Sequence, residues 1–562
     1  MGASFLHLNK GELMTIASRI LGKLAKLPKA ETYKIDVHRD VKVSMPDGIV
    51  LLADHHIPRG GENYPLLLCR SPYGRRGLYG IAMARLFAER GFQVFIQSCR
   101  GTFGSEGDFT CLSHEREDGL ATIEWLNKQD WFPSKFGTVG GSYLGYTQWA
   151  IADQAGSELK AIAPTITTST FTKQFYMGES FSLEGHLGWC LDIKDVKDSK
   201  MSMMSSRNFR FFGRMSKMER TMMKLPLVDL DQMAEGKRIS SWQDFIRHSE
   251  PPYEKWQSTD RIDKVSGVTA HVCLQSGWWD IFLPWMMEDY NLLKTAGHQP
   301  YLTIGPWAHS DIAGIAEGIR QTLAWHIAHL KNDHSVIREA PVRVFVMGSE
   351  QDWREFPEWP PPEMKVEKWY LQSGFGLAKD PPSPSDPDRY RYDPADPTPN
   401  LGGAVMGGRN KSQDNRKLES RSDVLVYTSQ PLDRDLVIIG PVSAVIYIRS
   451  SLEHTDLYAR LCDVDQDGRS MNITDGLQRL RPNRPSPEAD GSIRVSIELW
   501  PTAYRFKKGN CIRLQVSSGA HPRWARNTGS GEPIATATEL FIADQEIWHD
   551  PDHPSAIALP VN

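Results

Sequence analysis

The stretch Gly140-Gly141-Ser142-Tyr143-Leu144-Gly145 places one serine among glycines where a short apolar run gives way to a helical one. A serine that must face an incoming carbonyl from a sharp strand-to-helix turn leaves little room for side chains beside it, so glycines at 140, 141 and 145 suit a nucleophile elbow. The spacing is Gly-x-Ser-x-x-Gly rather than the commoner Gly-x-Ser-x-Gly, and in isolation it reads equally well as a plain turn. A serine hydroxyl attacks once a histidine takes its proton, and that histidine needs a carboxylate to fix its tautomer. Downstream, Asp280 follows the apolar run His271-Val272-Cys273-Leu274-Gln275 through Ser276-Gly277-Trp278-Trp279, and His309 follows Tyr301-Leu302-Thr303-Ile304 through Gly305-Pro306-Trp307-Ala308. Alone, Asp280 reads more often as a turn former, and His309, beside Ser310 and Asp311, as a cap of the next helix. Together, in the order Ser, Asp, His and at strand ends, the three point to acyl transfer through a covalent serine intermediate.

A tetrahedral oxyanion also needs donors. The backbone N–H of Tyr143 is one candidate, and the second should come from the loop after an earlier strand, here Arg70-Ser71-Pro72-Tyr73-Gly74. The Tyr73 hydroxyl could take that place; the same tyrosine also reads as an aromatic packed in a turn.

These residues need a scaffold that delivers them to one edge. From about 33 to 165, apolar strand-like runs (Tyr33 to Val43, Ile49 to Ala53, Pro65 to Cys69, Val94 to Gln97, Phe136 to Val139) alternate with helical ones at about 79–90 and from Glu115 to Lys128. Such alternation predicts an α/β sheet with helices on both faces. Residues 168–262 break the rhythm and hold nine of the 19 methionines (Met177, Met201, Met203, Met204, Met215, Met218, Met222, Met223, Met233). A helical cap over a cleft and an ordinary helical core both fit. The α/β pattern then resumes, so this tract is an insertion. After about 340, β-rich segments separated by Pro, Gly and Asp predict a sandwich or jelly roll, and 374–420 reads as a long excursion.

The chain has 562 residues, too many for one core, so two or three domains are expected. A net charge of -4 without long basic runs sets nucleic acid aside as a partner. Seven scattered cysteines, never Cys-x-x-Cys, read as reduced thiols. The absence of a membrane-length apolar run or a signal-peptide pattern predicts a cytoplasmic protein. Leu13, Ile16, Ala17, Ile20, Leu24 and Leu27 share one helical face, with Arg19, Lys23 and Lys26 off it; docking on its own domain and contact with a membrane surface are the two readings. Asp463-Val464-Asp465-Gln466-Asp467-Gly468 copies the start of a calcium loop, but Thr474 stands where the bidentate glutamate belongs, so a β-turn is expected and no metal.

Along nearly its whole length the chain resembles the cocaine esterase-like branch of the X-Pro dipeptidyl-peptidase and α-amino-acid ester hydrolase family, the CocE/NonD hydrolases. The motifs that carry this are Ser71-Pro72-Tyr73, Arg100-Gly101-Thr102-Phe103-Gly104-Ser105-Glu106-Gly107, Gly141-Ser142-Tyr143-Leu144-Gly145, Gly277-Trp278-Trp279-Asp280 and Gly305-Pro306-Trp307-Ala308-His309-Ser310. Val344-Phe345-Val346-Met347-Gly348, Asp393-Pro394-Ala395-Asp396-Pro397, Ser517-Ser518 and His553-Pro554-Ser555 continue the match in the same order. The resemblance implies an α/β-hydrolase domain (1–167 and 263–345, with an N-terminal helix at about 11–27), an inserted helical cap (168–262) and a C-terminal jelly-roll domain (346–562). It also implies Ser142 as nucleophile, Asp280 as acid, His309 as base and Tyr73 as oxyanion donor beside the Tyr143 amide.

Two departures bear on substrate. Relatives that cleave α-amino-acid esters hold the ammonium with carboxylates just past the catalytic aspartate, whereas Ile281-Phe282-Leu283 follows Asp280 here, a costly setting for an unpaired ammonium. Phe282 matches an aromatic lining the acyl pocket, and with Trp279 it is the expected substrate contact. The other departure is Cys99, where relatives tend to carry aspartate. The expectation is a serine esterase for a small-molecule ester with an apolar or aromatic acyl group, needing no cofactor. Acyl transfer to another acceptor and an amidase or X-Pro-type peptidase are the alternatives, a non-catalytic binding protein is a remote third, and a homodimer is open beside a monomer.

Overall fold

The computed structural model of the chain describes residues 10–194, 215–407 and 410–562. Its first sheet is built from β1 (Ile35–Ser44), β2 (Val50–Pro58), β3 (Leu66–Ser71), β4 (Gln93–Ser98), β5 (Phe136–Gly141), β6 (Leu159–Thr165), β7 (His271–Trp279), β8 (Tyr301–Ala308), β9 (Val342–Phe345) and β10 (Trp353–Phe356). The spatial order is β1-β2-β4-β3-β5-β6-β7-β8-β9-β10. Pairing is parallel from β4 through to β9 and antiparallel at both ends. The run Leu66-Leu67-Leu68-Cys69 is apolar at every position, as a strand covered on both faces must be. Leu66 and Leu68 enter one core with Phe95, while Leu67 and Cys69 enter another with Val94 and Ile96, so successive side chains feed the two faces of the sheet. The result is the α/β sheet covered on both faces that the alternation predicted, and the α/β-hydrolase core that the resemblance implied.

Between β6 and β7 the chain leaves the sheet to form a helical cap. Its interior is aromatic: Phe175, Phe181, Trp242, Phe245 and Trp256 are buried together, with Phe245 stacked on Trp256 at 4.7 Å. The methionines divide. Met218 and Met222 are core residues, Met223 and Met233 are exposed, and Met177 borders a cavity. Met201, Met203 and Met204 lie outside the described residues.

The N-terminal helix Lys10–Leu24 docks on the first domain, but not by the expected face. Ile16, Ile20 and Leu24 are 37%, 55% and 61% exposed, while Ser18, Gly22 and Ala25 face inward. The reason is the partner surface, which is charged: Ser18 Oγ donates to Glu89 Oε1 at 2.7 Å, and Arg85 donates to the same carboxylate at 2.8 Å.

From Lys365 onward eleven strands form a second, almost wholly antiparallel network, whose longest pair is Leu436–Ser450 with Ile493–Phe506. This is the C-terminal β domain, with its own core around Ile438, Ile446, Leu461, Ile497 and Leu514. The segment resembling a calcium loop is a hairpin turn between Thr455–Val464 and Ser470–Leu480, where Asp465 Oδ1 accepts from the Asp467 and Arg469 amides. All seven cysteines are free thiols. Among the described residues no helix is long and apolar enough to cross a membrane.

Candidate active site

β5 ends at the elbow, and the helix Tyr143–Ala152 starts immediately beyond Ser142. Ser142 has φ 57° and ψ -127°, a conformation that costs a non-glycine residue about 1–3 kcal/mol and that its surroundings must enforce. They do so by hydrogen bonds: Ser142 N donates to Thr165 O at 2.9 Å, and Ser142 O accepts from Gly145 N at 2.8 Å and Tyr146 N at 3.1 Å. The glycines are required sterically. Gly140 has φ 137°, and a Cβ there would strike Leu144; one at Gly145 would strike the Thr167 side chain.

Asp280 and His309 arrive on neighbouring strands. Both strands run four residues further than their apolar cores suggest, β7 to Trp279 and β8 to Ala308, with Gly277 opposite Gly305 and Trp279 opposite Ala308. The segments read as connecting loops are therefore strand. The two glycines that gave that impression make room for Trp307, which a Cβ at either position would hit. Asp280 is fully buried; its Oδ1 accepts from Phe282 N at 2.8 Å and its Oδ2 lies 3.1 Å from His309 Nδ1. His309 Nε2 is 3.0 Å from Ser142 Oγ. A carboxylate at Nδ1 holds the proton on that nitrogen, so Nε2 is left to accept from the serine hydroxyl.

The Tyr73 hydroxyl reaches the Ser142 side chain and accepts from Trp189 Nε1 at 3.1 Å. Burial pushes its pKa up, keeping the phenol protonated and a donor. The Tyr143 amide is the first of its helix and so has no intrahelical acceptor. The Tyr143 ring stacks on Trp189 with centroids 6.2 Å apart, and its hydroxyl donates to Glu115 Oε1 at 2.9 Å and accepts from Leu112 N at 2.9 Å. Glu115 in turn pairs with buried Arg70 at 3.0 Å. The thiol of Cys99, the second departure, points at Glu115 Oε2 from 3.5 Å, and burial keeps it protonated.

Trp189 and Glu115 were not singled out from sequence. Trp189 sits in an unremarked helical run of the cap, and Glu115 read only as the start of a helix; contact with Tyr73 and Tyr143 is made by the fold alone. Phe282 is buried with its ring 5.5 Å from that of His309 and 4.9 Å from that of Phe171. Trp279 is buried in the core beneath the strand ends, next to Asp280 in sequence. Among the described residues no three His, Cys, Asp or Glu side chains are grouped to hold a metal.

A serine, a histidine and an aspartate in one hydrogen-bonded line at the strand ends of an α/β core, beneath a helical cap, belong to the serine hydrolases of the α/β-hydrolase class. Residues 47–311 match the X-Pro dipeptidyl-peptidase (S15 family), and residues 334–558 match the X-Pro dipeptidyl-peptidase C-terminal non-catalytic domain. The cocaine esterase of Rhodococcus sp. (strain MB1 Bresler) is 30% identical over 566 residues, spanning 93% of this chain and 98% of that protein. Among solved structures, an α-amino acid ester hydrolase superposes with a TM-score of 0.79 at 22% identity over 94% of this chain and 97% of that one. A CocE/NonD family hydrolase from Staphylococcus aureus superposes with 0.66 at 15% identity over 95% of each chain. The chain belongs to the X-Pro dipeptidyl-peptidase (S15) family, on its cocaine esterase-like, CocE/NonD branch, and is a serine hydrolase acting on esters or peptides.

Proposed function

We propose that the chain is a serine esterase that cleaves carboxylic esters with an apolar or aromatic acyl group through an acyl-enzyme. The observation that carries this reading is the line Asp280 Oδ2, His309, Ser142 Oγ, with contacts of 3.1 and 3.0 Å. In this reading Ser142 Oγ attacks the ester carbonyl as His309 Nε2 takes its proton, and Asp280 holds the imidazolium that forms. The oxyanion accepts from the Tyr73 hydroxyl and the Tyr143 amide. His309 returns the proton to the leaving alkoxide, the alcohol departs, and water activated by His309 attacks the acyl-enzyme; the serine recovers its proton last.

The acyl preference is supported by the ring of Phe282 against His309, with the ring of Phe171 packed on Phe282. Ile281 and Phe282, rather than carboxylates, follow Asp280, which speaks against an α-ammonium at that place and favours esters over free N-terminal peptides. The test is a panel of aryl esters with graded acyl groups, together with fluorophosphonate labelling. Wild-type protein should label at Ser142 and prefer apolar acyl groups, while Ser142→Ala should do neither. Turnover that survives Ser142→Ala would refute the assignment.

A further inference from the structure

Away from the serine, a half-open cavity is walled by all three parts of the chain: Glu184 from the cap, Ile281 and Trp285 from the α/β core, and Trp500, Arg523 and Trp524 from the β domain. Its wall residue Ile281 stands in the chain between Asp280 and Phe282, which links the cavity to the candidate active site through one short segment. Its volume is about 30 Å³, room for two or three waters or for one carboxyl group.

The lining is unusual for so apolar a wall. Arg523 is only 6% exposed and lies over the rings of Trp500 and Trp524, at 4.9 and 4.1 Å. Its Nη1 donates to Asp475 Oδ1 at 2.5 Å, but its buried Nη2 has no acceptor among the described residues. Asp475 is shared, since Arg460 also donates to it at 3.1 Å. Two buried guanidiniums thus face one carboxylate, and Glu184, whose carboxyl feels the charge of Arg523 and accepts from the Gly407 amide, is the acid that lines the cavity itself. Burial raises Glu184 to about 7, so it readily carries a proton and can donate. A guanidinium N–H without a partner is costly when buried, and its strongest partner is a carboxylate.

We propose that this cavity is a subsite for a carboxylate borne on the end of the substrate remote from the scissile ester, held by Arg523 Nη2 and by the Glu184 carboxyl. The proposal deepens the esterase reading and rests on it. The tryptophans exclude water from the pair and hold the guanidinium plane in place. The same wall rejects an ammonium, because Arg523 stands in it.

The experiment compares matched esters ending in carboxylate or in methyl, one series with the terminus on the acyl side and one with it on the alcohol side. In the wild type one carboxylate-ended series should have kcat/KM about tenfold or more above its methyl-ended partner, and Arg523→Gln should bring that ratio close to one. Glu184→Gln, which can still donate, should keep the preference. Thermal melting and fluorophosphonate labelling establish that each variant is folded.

A second arm does not depend on turnover: in the Ser142→Ala background, butyrate but not butyramide should raise Tm, and the shift should vanish when Arg523→Gln is added. No preference in either series, a ratio indifferent to Arg523→Gln, equal shifts or none with the two ligands, or a preferred ammonium-ended ester that Glu184→Gln abolishes would each overturn the subsite. Failure of every ester, methyl-ended ones included, would instead count against the esterase reading, and the butyrate arm would still decide the subsite.

Discussion

Tyr73→Phe removes one oxygen and leaves the ring. The lost hydroxyl reaches Ser142 and accepts from Trp189 Nε1 at 3.1 Å, so two effects separate. The first is catalytic. If the hydroxyl is one of two oxyanion donors, its loss should lower kcat by about 10²–10³, equivalent to about 2.7–4 kcal/mol of transition-state stabilisation. KM should change little, because a ground-state carbonyl makes a weaker demand on the donor than the oxyanion does. The second is structural: the Trp189 N–H, half-buried above the site, loses its acceptor, at a cost of about 1–3 kcal/mol. Steady-state kinetics on an aryl ester with an apolar acyl group, alongside thermal melting, measures both. Trp189→Phe keeps the stack on Tyr143 but removes the N–H, and should lower kcat by only about tenfold, since the Tyr73 donor survives without its orienting contact. A fall in kcat of less than about threefold for Tyr73→Phe would remove that hydroxyl from the oxyanion site.

Glu115→Gln takes the charge from the buried partner of Arg70 and weakens the anchor of the Tyr143 hydroxyl; it should cost about 3 kcal/mol in stability, read by denaturant titration, and an unchanged midpoint would contradict the ion-pair account. Gly145→Ala drives a methyl into Thr167 behind the elbow and should lower the rate of fluorophosphonate labelling at least about tenfold, because a displacement near 1 Å disturbs the line from His309 to Ser142; labelling at the wild-type rate would show that the elbow tolerates the shift. Burial depresses His55, His56, His186 and His326 to about 4 and His329 and His521 to about 3, so between these values and 6.5 the unfolded chain binds protons that the folded chain does not. Asp192, Asp289 and Glu184, raised to about 7, act in the opposite sense, which leaves a net uptake on unfolding of about three protons near pH 5. Stability should therefore be lost as pH falls from about 6.5 towards 4, and a Tm that stays flat across that window would refute the balance.

What could be read from the sequence is what the backbone demands. Gly140 and Gly145 are forced by a positive φ and by the approach of Thr167, so the elbow is written in residue type. The doubly buried strands are equally plain, because Leu66-Leu67-Leu68-Cys69 has no polar face to turn outward. The extent of β7 and β8 was not legible, since Gly277 and Gly305 signal a turn when read locally and a close contact with Trp307 only in three dimensions. The N-terminal helix misled in another way. Its apolar stripe is real, but the surface it meets carries Arg85 and Glu89, and Ser18 fits that surface better than Ile16 or Ile20 does.

The long-range contacts also explain why the cap matters to a site whose three polar residues all come from the α/β core. Glu184 and Trp189 stand on one cap helix, Leu183–Ile193. Trp189 meets Tyr73 on one side, while Glu184 lines the cavity with Arg523 of the β domain on the other. Glu184 N also donates to Pro522 O, which ties the start of that helix to the segment carrying Arg523. A shift of this helix thus moves the partner of Tyr73 and one wall of the cavity together. Substitutions that loosen its packing, for instance at buried Cys190, are expected to alter rate and terminal-group preference in the same variants, whereas changes confined to the strand ends alter rate alone.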